Sequence, residues 1–197
     1  MKRILNIMGF VFIMGTITSL LIIGMDALTF ERIKANEQAL FQSKVLEAFE
    51  IPFTTATIND VFLQSVEPIE LDVNGETIRV YRDPSSGRVS MEMSGGGVWG
   101  PIIGVLTLEP DFVTIARVAI LQQEETPGLG GRITEPAYLA KYQGIRFSPN
   151  VIVTKATPSA DNEVDAITGA TGTSSRFQII LNDTHAKIFP LLQALEN

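Results

Sequence analysis

A run of 22 uncharged residues near the amino terminus constrains this chain more than any other feature. The run, ILNIMGFVFIMGTITSLLIIGM, lies between Arg3 and Asp26 and consists mostly of Ile, Leu, Met, Phe and Val. About 20 apolar residues in a helix are enough to cross the hydrocarbon core of a bilayer, and only a helix satisfies the backbone hydrogen bonds of a single open segment in lipid. The sequence therefore predicts a transmembrane helix at about residues 4–25, within a membrane anchor formed by residues 1–26.

A cleaved signal peptide is the alternative interpretation of this run, because the basic pair Lys2 and Arg3 is typical of both kinds of segment. The apolar part of a signal peptide is usually about 7–15 residues long and ends at a small-residue site such as A-x-A. The sequence that follows the run, MDALTFERIK, has no such site, and the chain has no cysteine for lipid attachment. These features favour a retained anchor.

The basic residues on the two sides of the run indicate its orientation in the membrane. Lys2 and Arg3 form a short basic tail of the kind that stays in the cytoplasm, whereas Arg32 and Lys34 on the other side weaken this preference. We therefore expect a single-pass protein of the cytoplasmic (inner) membrane, with its N-terminus inside and residues 26–197 on the extracytoplasmic or periplasmic side. The absence of cysteine is compatible with that oxidising side.

The charge balance makes one large class of partner improbable. The chain has 15 basic and 22 acidic residues, and two of the basic ones precede the apolar run. The part beyond the run is therefore strongly acidic. Because a negative surface repels the phosphate backbone, we expect no binding to nucleic acid.

The segment after the anchor has a helical pattern. Its sequence, ALTFERIKANEQALFQSKVLEAF, contains no proline or glycine, and its apolar residues recur at roughly helical spacing. We expect a juxtamembrane helix over residues 27–50 that ends before Pro52, because the residue that precedes a proline disfavours helix. A stalk is its simplest role, and a contact face for a membrane partner is the alternative.

The remaining residues, 51–197, show strand patterns followed by a helical one. The turn sequence DPSSG separates the first two alternating segments and predicts a hairpin. Helical spacing returns from Thr171 onward, and we expect Pro190 to kink or split that helix. The fold predicted for these residues is an α+β domain, an antiparallel sheet with flanking helices, which follows the transmembrane helix and stalk. The predicted strands are 76–81, 88–93, 102–108, 113–121 and 151–156.

The residues and motifs that the sequence lacks disfavour several kinds of site in this domain. Structural zinc takes four Cys or His ligands, and the chain has no cysteine and a single histidine, His185. We expect His185 to lie exposed on the surface of the C-terminal helix. A Ser-His-acid or Cys-His nucleophile would need this same histidine, and neither a G-x-S-x-G nor a G-x-x-x-x-G-K sequence is present. These absences disfavour metal-site, hydrolase and kinase functions.

Two segments rich in glycine or hydroxyl side chains remain as candidates for a site. The first, QQEETPGLGGR at 122–132, follows a predicted strand, and its proline and three glycines suit a turn with exposed amides. The second, DAITGATGTSS at 165–175, precedes the last predicted helix, whose free N–H groups and dipole would stabilise a phosphate beside Thr171. An ordinary strand-ending loop and a simple helix N-cap are the alternative interpretations.

The second segment resembles the acceptor motif of FMN-binding domains that carry their flavin covalently. In that family a flavin transferase joins FMN through a phosphoester bond to the last threonine of D-x-x-(S/T)-G-A-T, which DAITGAT at 165–171 resembles. ETPGLG at 125–130 resembles the family's second signature, which lies against the isoalloxazine ring. GGGVWGPIIG at 95–104 is similar to the segment that precedes the central strands. Such domains occur in the C subunit of the sodium-translocating NADH:quinone reductase and in the G subunit of the related Rnf complex.

The resemblance implies a set of site residues. Thr171 would carry FMN covalently, Asp165 would fix the turn or assist recognition by the flavin transferase, and Trp99 would either border the flavin or lie in the core. The residues implied around the phosphate and the acceptor are Thr168, Gly169, Ala170, Ser174 and Ser175. The residues implied to contact the ring are Glu125, Thr126, Gly128 and Leu129.

The resemblance also implies a function. The chain would be the flavin-carrying electron-transfer subunit of a membrane-bound, ion-translocating oxidoreductase of the Rnf or Nqr type, with other membrane subunits as partners and no substrate site of its own. A free-standing anchored flavoprotein for extracytoplasmic electron transfer and a non-redox anchored binding module remain open. Gly172 and the pair Gln122 and Gln123 depart from the family's usual residues at those positions.

Overall fold

The computed structural model describes residues 2–73 and 75–195. The chain divides into two compact units, Met1–Leu40 and Phe41–Asn197. Residues 2–40 of the first unit belong to one long helix, α1 (Lys2–Ala48). The most apolar 18-residue window of α1 has a mean hydropathy of 2.2, so the helix is long and apolar enough to span a membrane.

The predicted antiparallel sheet forms the centre of the second unit. In the part of the chain that the structure describes, it has five strands whose spatial order is the chain order, each antiparallel to the next. The predicted α+β fold is therefore confirmed, as is the hairpin around DPSSG. The strands are β1 (Glu67–Val73), β2 (Glu76–Arg82), β3 (Val89–Gly96), β4 (Pro101–Leu108) and β5 (Ile115–Gln122).

Shorter elements and one long helix complete the unit. Pro190 does not split the last helix, α4, which continues beyond it. The strand predicted at 151–156 is shorter than expected and pairs in parallel with a strand that was not predicted. The elements are α2 (Ile58–Ser65), 3-10 turns at Gly130–Thr134 and Ala140–Tyr142, α3 (Pro136–Leu139), β6 (Ile152–Thr154), β7 (Glu163–Asp165) and α4 (Thr171–Leu195).

The central sheet is covered on both faces, because neighbouring residues of β4 belong to different apolar clusters. Leu106 lies in the larger cluster, whereas Val105 packs with Val45 and Leu46 near the end of α1. Alternate side chains of a strand point to opposite faces, so burial on both sides explains the nearly continuous apolar sequence of β4. The buried residues that α4 adds to the larger cluster include Phe177, Ile180, Leu181, Ile188 and Leu192.

The expectation of an exposed His185 is wrong. Its side chain is buried, and its imidazole stacks on Phe147 with 3.9 Å between the ring centroids. The Nε2 atom lies 2.8 Å from the carbonyl oxygen of Phe112, to which it donates a hydrogen bond. Burial lowers the pKa of His185 and outweighs the opposing effect of this bond, so the ring is held neutral.

Candidate functional site

A cavity of about 160 Å³ lies where the two motif segments meet the turn between β3 and β4. Sites that enclose a drug-sized ligand usually measure about 300–1,000 Å³, so a ligand of that size would stay partly exposed here. The cavity therefore suits a group that must be reached from outside. Its lining residues are Val98, Trp99, Glu125, Thr126, Leu129, Gly130, Gly169, Ala170, Gly172 and Thr173.

The turn that follows β3 presents two apolar side chains at the cavity. The amide of Gly97 donates to the carbonyl of Gly100 at 2.8 Å, which closes the turn and leaves Val98 and Trp99 between them. A Cβ atom at position 97 would collide with the carboxylate of Glu125, so the turn needs glycine there. Trp99 is 71% exposed and does not belong to the core. Trp99 lines the cavity, and its expected contact with a flavin stays a prediction.

The carboxylate of Glu125 ties three segments together. Its Oε1 atom accepts hydrogen bonds from the amides of Val98 at 2.7 Å and Trp99 at 3.1 Å. Its Oε2 atom accepts one from the Thr173 hydroxyl at 2.5 Å, and the side chain is buried. Burial alone would raise the pKa of Glu125, but these bonds outweigh it and hold the pKa below its ordinary value. The group is therefore an anion at neutral pH.

The loop after Glu125 is the predicted turn with a left-handed residue. The amides of Leu129 and Gly131 both donate to the carbonyl of Thr126, and Gly128 has a φ of +74°. Thr126, Gly128 and Leu129 are exposed, although Gly128 does not line the cavity. Gly130 is buried, and a Cβ atom there would lie 2.5 Å from Thr173 Oγ1, so only glycine fits beside that bond.

The acceptor motif forms a second turn that leads directly into α4. Gly169 has a φ of +81°, and the amide of Ala170 donates to the carbonyl of Ile167 at 2.9 Å. Thr171 is half-buried and begins α4, between two residues that line the cavity. The amides of the first turn of a helix have no acceptor within the helix. An anion at Thr171 would therefore meet free donors and the positive end of the helix dipole.

Ser174 braces this turn from inside the protein. Its side chain is fully buried, and its hydroxyl accepts from the Ile167 amide at 3.0 Å and donates to the Ala170 carbonyl at 3.1 Å. Ser175 and Thr168 are exposed and do not line the cavity. Their predicted contacts with a phosphate, like that of Ser174, stay predictions, and the geometry favours a structural role for Ser174.

Asp165 lies at the end of β7, outside the cavity lining. Its Oδ2 atom lies 2.6 Å from Nζ of Lys141, and both side chains are partly exposed. This ion pair joins the start of the acceptor motif to the 3-10 turn at Ala140–Tyr142. Both expected roles of Asp165, fixing the turn and assisting recognition by a transferase, stay predictions.

Four residues that line the cavity were absent from the predicted set of site residues: Val98, Gly130, Gly172 and Thr173. Thr173 lies two residues after the acceptor and was not distinguished from the other hydroxyls of DAITGATGTSS. Val98 lies beside the expected Trp99 in GGGVWGP, and this adjacency was the available signal. The partner of Asp165, Lys141, had no signal, because 24 residues separate the two.

The part of the chain that matches a known protein family contains the three segments around the cavity. Residues 97–185 match the family model described as the FMN-binding domain. The C subunit of the Na(+)-translocating NADH-quinone reductase from Neisseria meningitidis is 33% identical over 102 residues, which is 49% of this chain and 40% of that protein. The corresponding protein from Vibrio vulnificus is 23% identical over 194 residues, which is 74% of this chain and 76% of that protein. The match to the Neisseria protein thus spans about two fifths of its length.

Solved structures show the same fold. The crystal structure of Shewanella oneidensis NqrC has a TM-score of 0.70 and 22% sequence identity, and the match covers 81% of this chain and 99% of that one. The crystal structure of the corresponding protein from Parabacteroides distasonis has a TM-score of 0.67 and 20% identity, over 83% of this chain and 96% of that one. Together with the family match and the curated relatives, these structures confirm the predicted resemblance to FMN-binding domains, while covalent attachment of the flavin stays a prediction.

Proposed function

Because residues 97–185 match the FMN-binding domain and the chain is similar to the C subunits of sodium-translocating NADH:quinone reductases, we propose that it is the flavin-carrying electron-transfer subunit of a membrane-bound oxidoreductase complex. One observation carries the proposal: segments 97–100, 125–130 and 169–173 converge on one open cavity at the start of α4. When FMN is bound, it supplies the redox chemistry, and the chain positions and tunes it.

The residues around the cavity fit an FMN group. Gly169, Ala170 and Gly172 present almost no side chain next to Thr171, so a phosphate can approach the backbone closely. The exposed apolar side chains of Trp99 and Leu129 border the same cavity and suit a flat ring. The open shape would leave part of the ring accessible to an electron donor or acceptor.

Thr171 is the proposed attachment site. Its hydroxyl oxygen would form a phosphoester bond with FMN, with the net loss of one water, in a reaction that a flavin transferase performs during maturation. The first-turn amides of α4 would stabilise the phosphate charge. Covalent attachment would prevent loss of the flavin on the extracytoplasmic side, where we place the domain.

The proposed partners are the other membrane subunits of such a complex. The relatives described above are C subunits of sodium-translocating reductases, which supports partners of the Nqr type before those of the Rnf type. Helix α1 would hold the chain in the membrane beside them. Affinity purification of the tagged chain from host membranes should recover these subunits, and recovery of Rnf subunits would correct the type of complex.

The attachment is tested by intact mass and in-gel flavin fluorescence after co-expression with a flavin transferase. We expect the wild-type chain to gain the mass of one FMN less one water, and Thr171→Ala to lose both the gain and the fluorescence. Thr157→Ala is the matched control, because it removes the hydroxyl of an exposed threonine that does not line the cavity and should leave the gain intact. An unmodified wild-type chain, beside a known acceptor that is labelled under the same conditions, would refute covalent attachment.

A further inference from the structure

We propose that Glu125 is a positioning residue that holds Trp99 at the flavin site and whose negative charge lowers the reduction potential of a flavin bound there. This inference rests on the proposed function and differs from the direct ring contact implied by the resemblance. Glu125 would act through the groups that it holds and through its charge, without a direct contact with the ring.

Both oxygen atoms of the Glu125 carboxylate are engaged by donors of this chain. One oxygen accepts from two consecutive amides, those of Val98 and Trp99, and the other accepts from Thr173 in the first turn of α4. The amide of Glu125 itself donates to the Oε1 atom of Gln123 at 2.6 Å, which holds the backbone of the loop. One side chain therefore sets the distance between the tryptophan turn and the helix that begins at Thr171.

Little else in the described structure holds Trp99 in place. Its indole is 71% exposed, and the turn that carries it is closed by a single hydrogen bond between Gly97 and Gly100. The hydrogen bond from the Trp99 amide to Glu125 connects this turn to the loop at residues 125–130. Without the carboxylate, the amides of Val98 and Trp99 would lose their acceptor, and the turn would gain freedom to move.

Within residues 2–73 and 75–195, Glu125 forms no ion pair. Its charge is stabilised by neutral hydrogen-bond donors, namely two backbone amides and the hydroxyl of Thr173. It is buried and it lines the cavity. Charges interact more strongly at a partly buried position than in bulk water. A fixed anion there disfavours the addition of an electron to a bound flavin, and its removal should raise the reduction potential.

Glu124 provides a matched control for the charge. It is adjacent in the chain and lies beside the same turn, since a Cβ atom at Gly100 would meet its carboxylate, but it is exposed. Glu124→Gln removes the same charge from a solvated position, where water and salt screen it. The comparison of Glu125→Gln with Glu124→Gln therefore isolates the buried charge.

The positioning role is tested on the full chain without flavin, using the fluorescence of Trp99, which is the only tryptophan. We expect Glu125→Ala to lower the anisotropy of Trp99 clearly below the wild-type value, because the turn loses its anchor. Glu125→Gln should stay close to wild type, since an amide can still accept from the turn and donate to Thr173. Unchanged anisotropy in a folded Glu125→Ala variant would overturn the positioning role.

The effect of the charge is tested by spectroelectrochemical titration of the flavin-loaded chain. We expect Glu125→Gln to shift the flavin midpoint to a higher potential than wild type, and Glu124→Gln to shift it much less. Equal potentials in Glu125→Gln and wild type would overturn the tuning role. A wild-type chain that takes up no FMN would instead refute the proposed function, and the anisotropy of Trp99 would still decide whether Glu125 positions the turn.

Discussion

The loop at residues 125–130 and the turn at 165–171 border the same cavity, yet different groups hold them in place. The loop is held by a carboxylate, since Glu125 binds Thr173 and the turn that carries Trp99. The acceptor turn is held by a neutral hydroxyl, that of Ser174, which binds two backbone groups of the preceding residues.

The two supports differ in how far apart in the chain the bonded residues lie and in whether the supporting group is charged. Ser174 reaches back only seven residues, to Ile167, so its brace can form as soon as the first turn of α4 forms. Glu125 bonds to residues that lie 27 and 48 positions away in the chain, so its contacts form only when the whole site assembles. The first loop should therefore depend on tertiary packing and on charge, and the second on local geometry.

The largest effect on the free energy of unfolding is expected from Gly130→Ala, which places an extra atom against the carboxylate of Glu125. In Gly130→Ala the new Cβ atom would lie 2.5 Å from Thr173 Oγ1 and 2.7 Å from Glu125 Oε2, so the bond between them must break or shift. We expect the free energy of unfolding to fall by about 2–3 kcal/mol, as for an overpacked interior position. Urea denaturation followed by near-ultraviolet circular dichroism measures this change.

Gly96→Ala is the control for that substitution, because no atom lies within 4 Å of its new Cβ. Its free energy of unfolding should stay within about 0.5 kcal/mol of wild type. If Gly130→Ala proved as stable as Gly96→Ala, the carboxylate would not be the main support of the loop.

A smaller effect is expected from removing the local brace. Ser174→Ala leaves the buried amide of Ile167 without its acceptor, which should lower the free energy of unfolding by about 1–2 kcal/mol. Ser175→Ala, on the exposed side of the same turn, should change it by less than about 0.5 kcal/mol. Similar losses in the two variants would show that the acceptor turn does not depend on Ser174.

The smallest effect is on the pH dependence of the free energy of unfolding, which should differ between the charged Glu125 and the neutral Ser174. The hydrogen bonds to Glu125 hold its pKa below the ordinary value of about 4.3, so its ionised form stabilises the folded state above that pH. This contribution is lost as the pH falls through the lowered pKa, when the folded protein takes up the proton. The stability difference between wild type and Glu125→Gln should therefore shrink in acid.

The same titration of Ser174→Ala provides the contrast, because a hydroxyl does not titrate in this range. The difference in the free energy of unfolding between wild type and Ser174→Ala should stay constant between about pH 7 and pH 3. A difference for Glu125→Gln that is equally constant would mean that the charge of Glu125 contributes nothing to the stability of the site.

Much of the fold follows from local patterns in the sequence. The hairpin around DPSSG, the apolar strand β4 and the helix that begins at Thr171 were all predicted, because each has a strong pattern or a clear turn. Helix α2 and strand β1 were missed. The sequence of β1, EPIELDV, has acidic residues and a proline that mask its alternation, and its partner β2 supplies the pairing.

Short-range patterns predicted only one strand of the second sheet, since β6 lies within the strand predicted at 151–156 and β7 was missed. Strand β7 has three residues, too few to show a period, and it pairs with residues of β6 that lie 11 positions away in the chain. His185 was placed on the wrong side of α4, because a histidine is compatible with both an exposed and a buried face. Its burial depends on Phe147 and on the carbonyl of Phe112, 73 residues away.

The sequence by itself determined the apolar helix near the amino terminus, the acidic α+β domain and the two motif segments, since each depends on residues that are close in the chain. Only the tertiary structure decided that these segments meet in one cavity and that Glu125 rather than another acidic residue is buried there. The physical reason is that a carboxylate becomes a brace through its hydrogen-bond donors. Those donors come from a turn and a helix that only the folded sheet brings within reach.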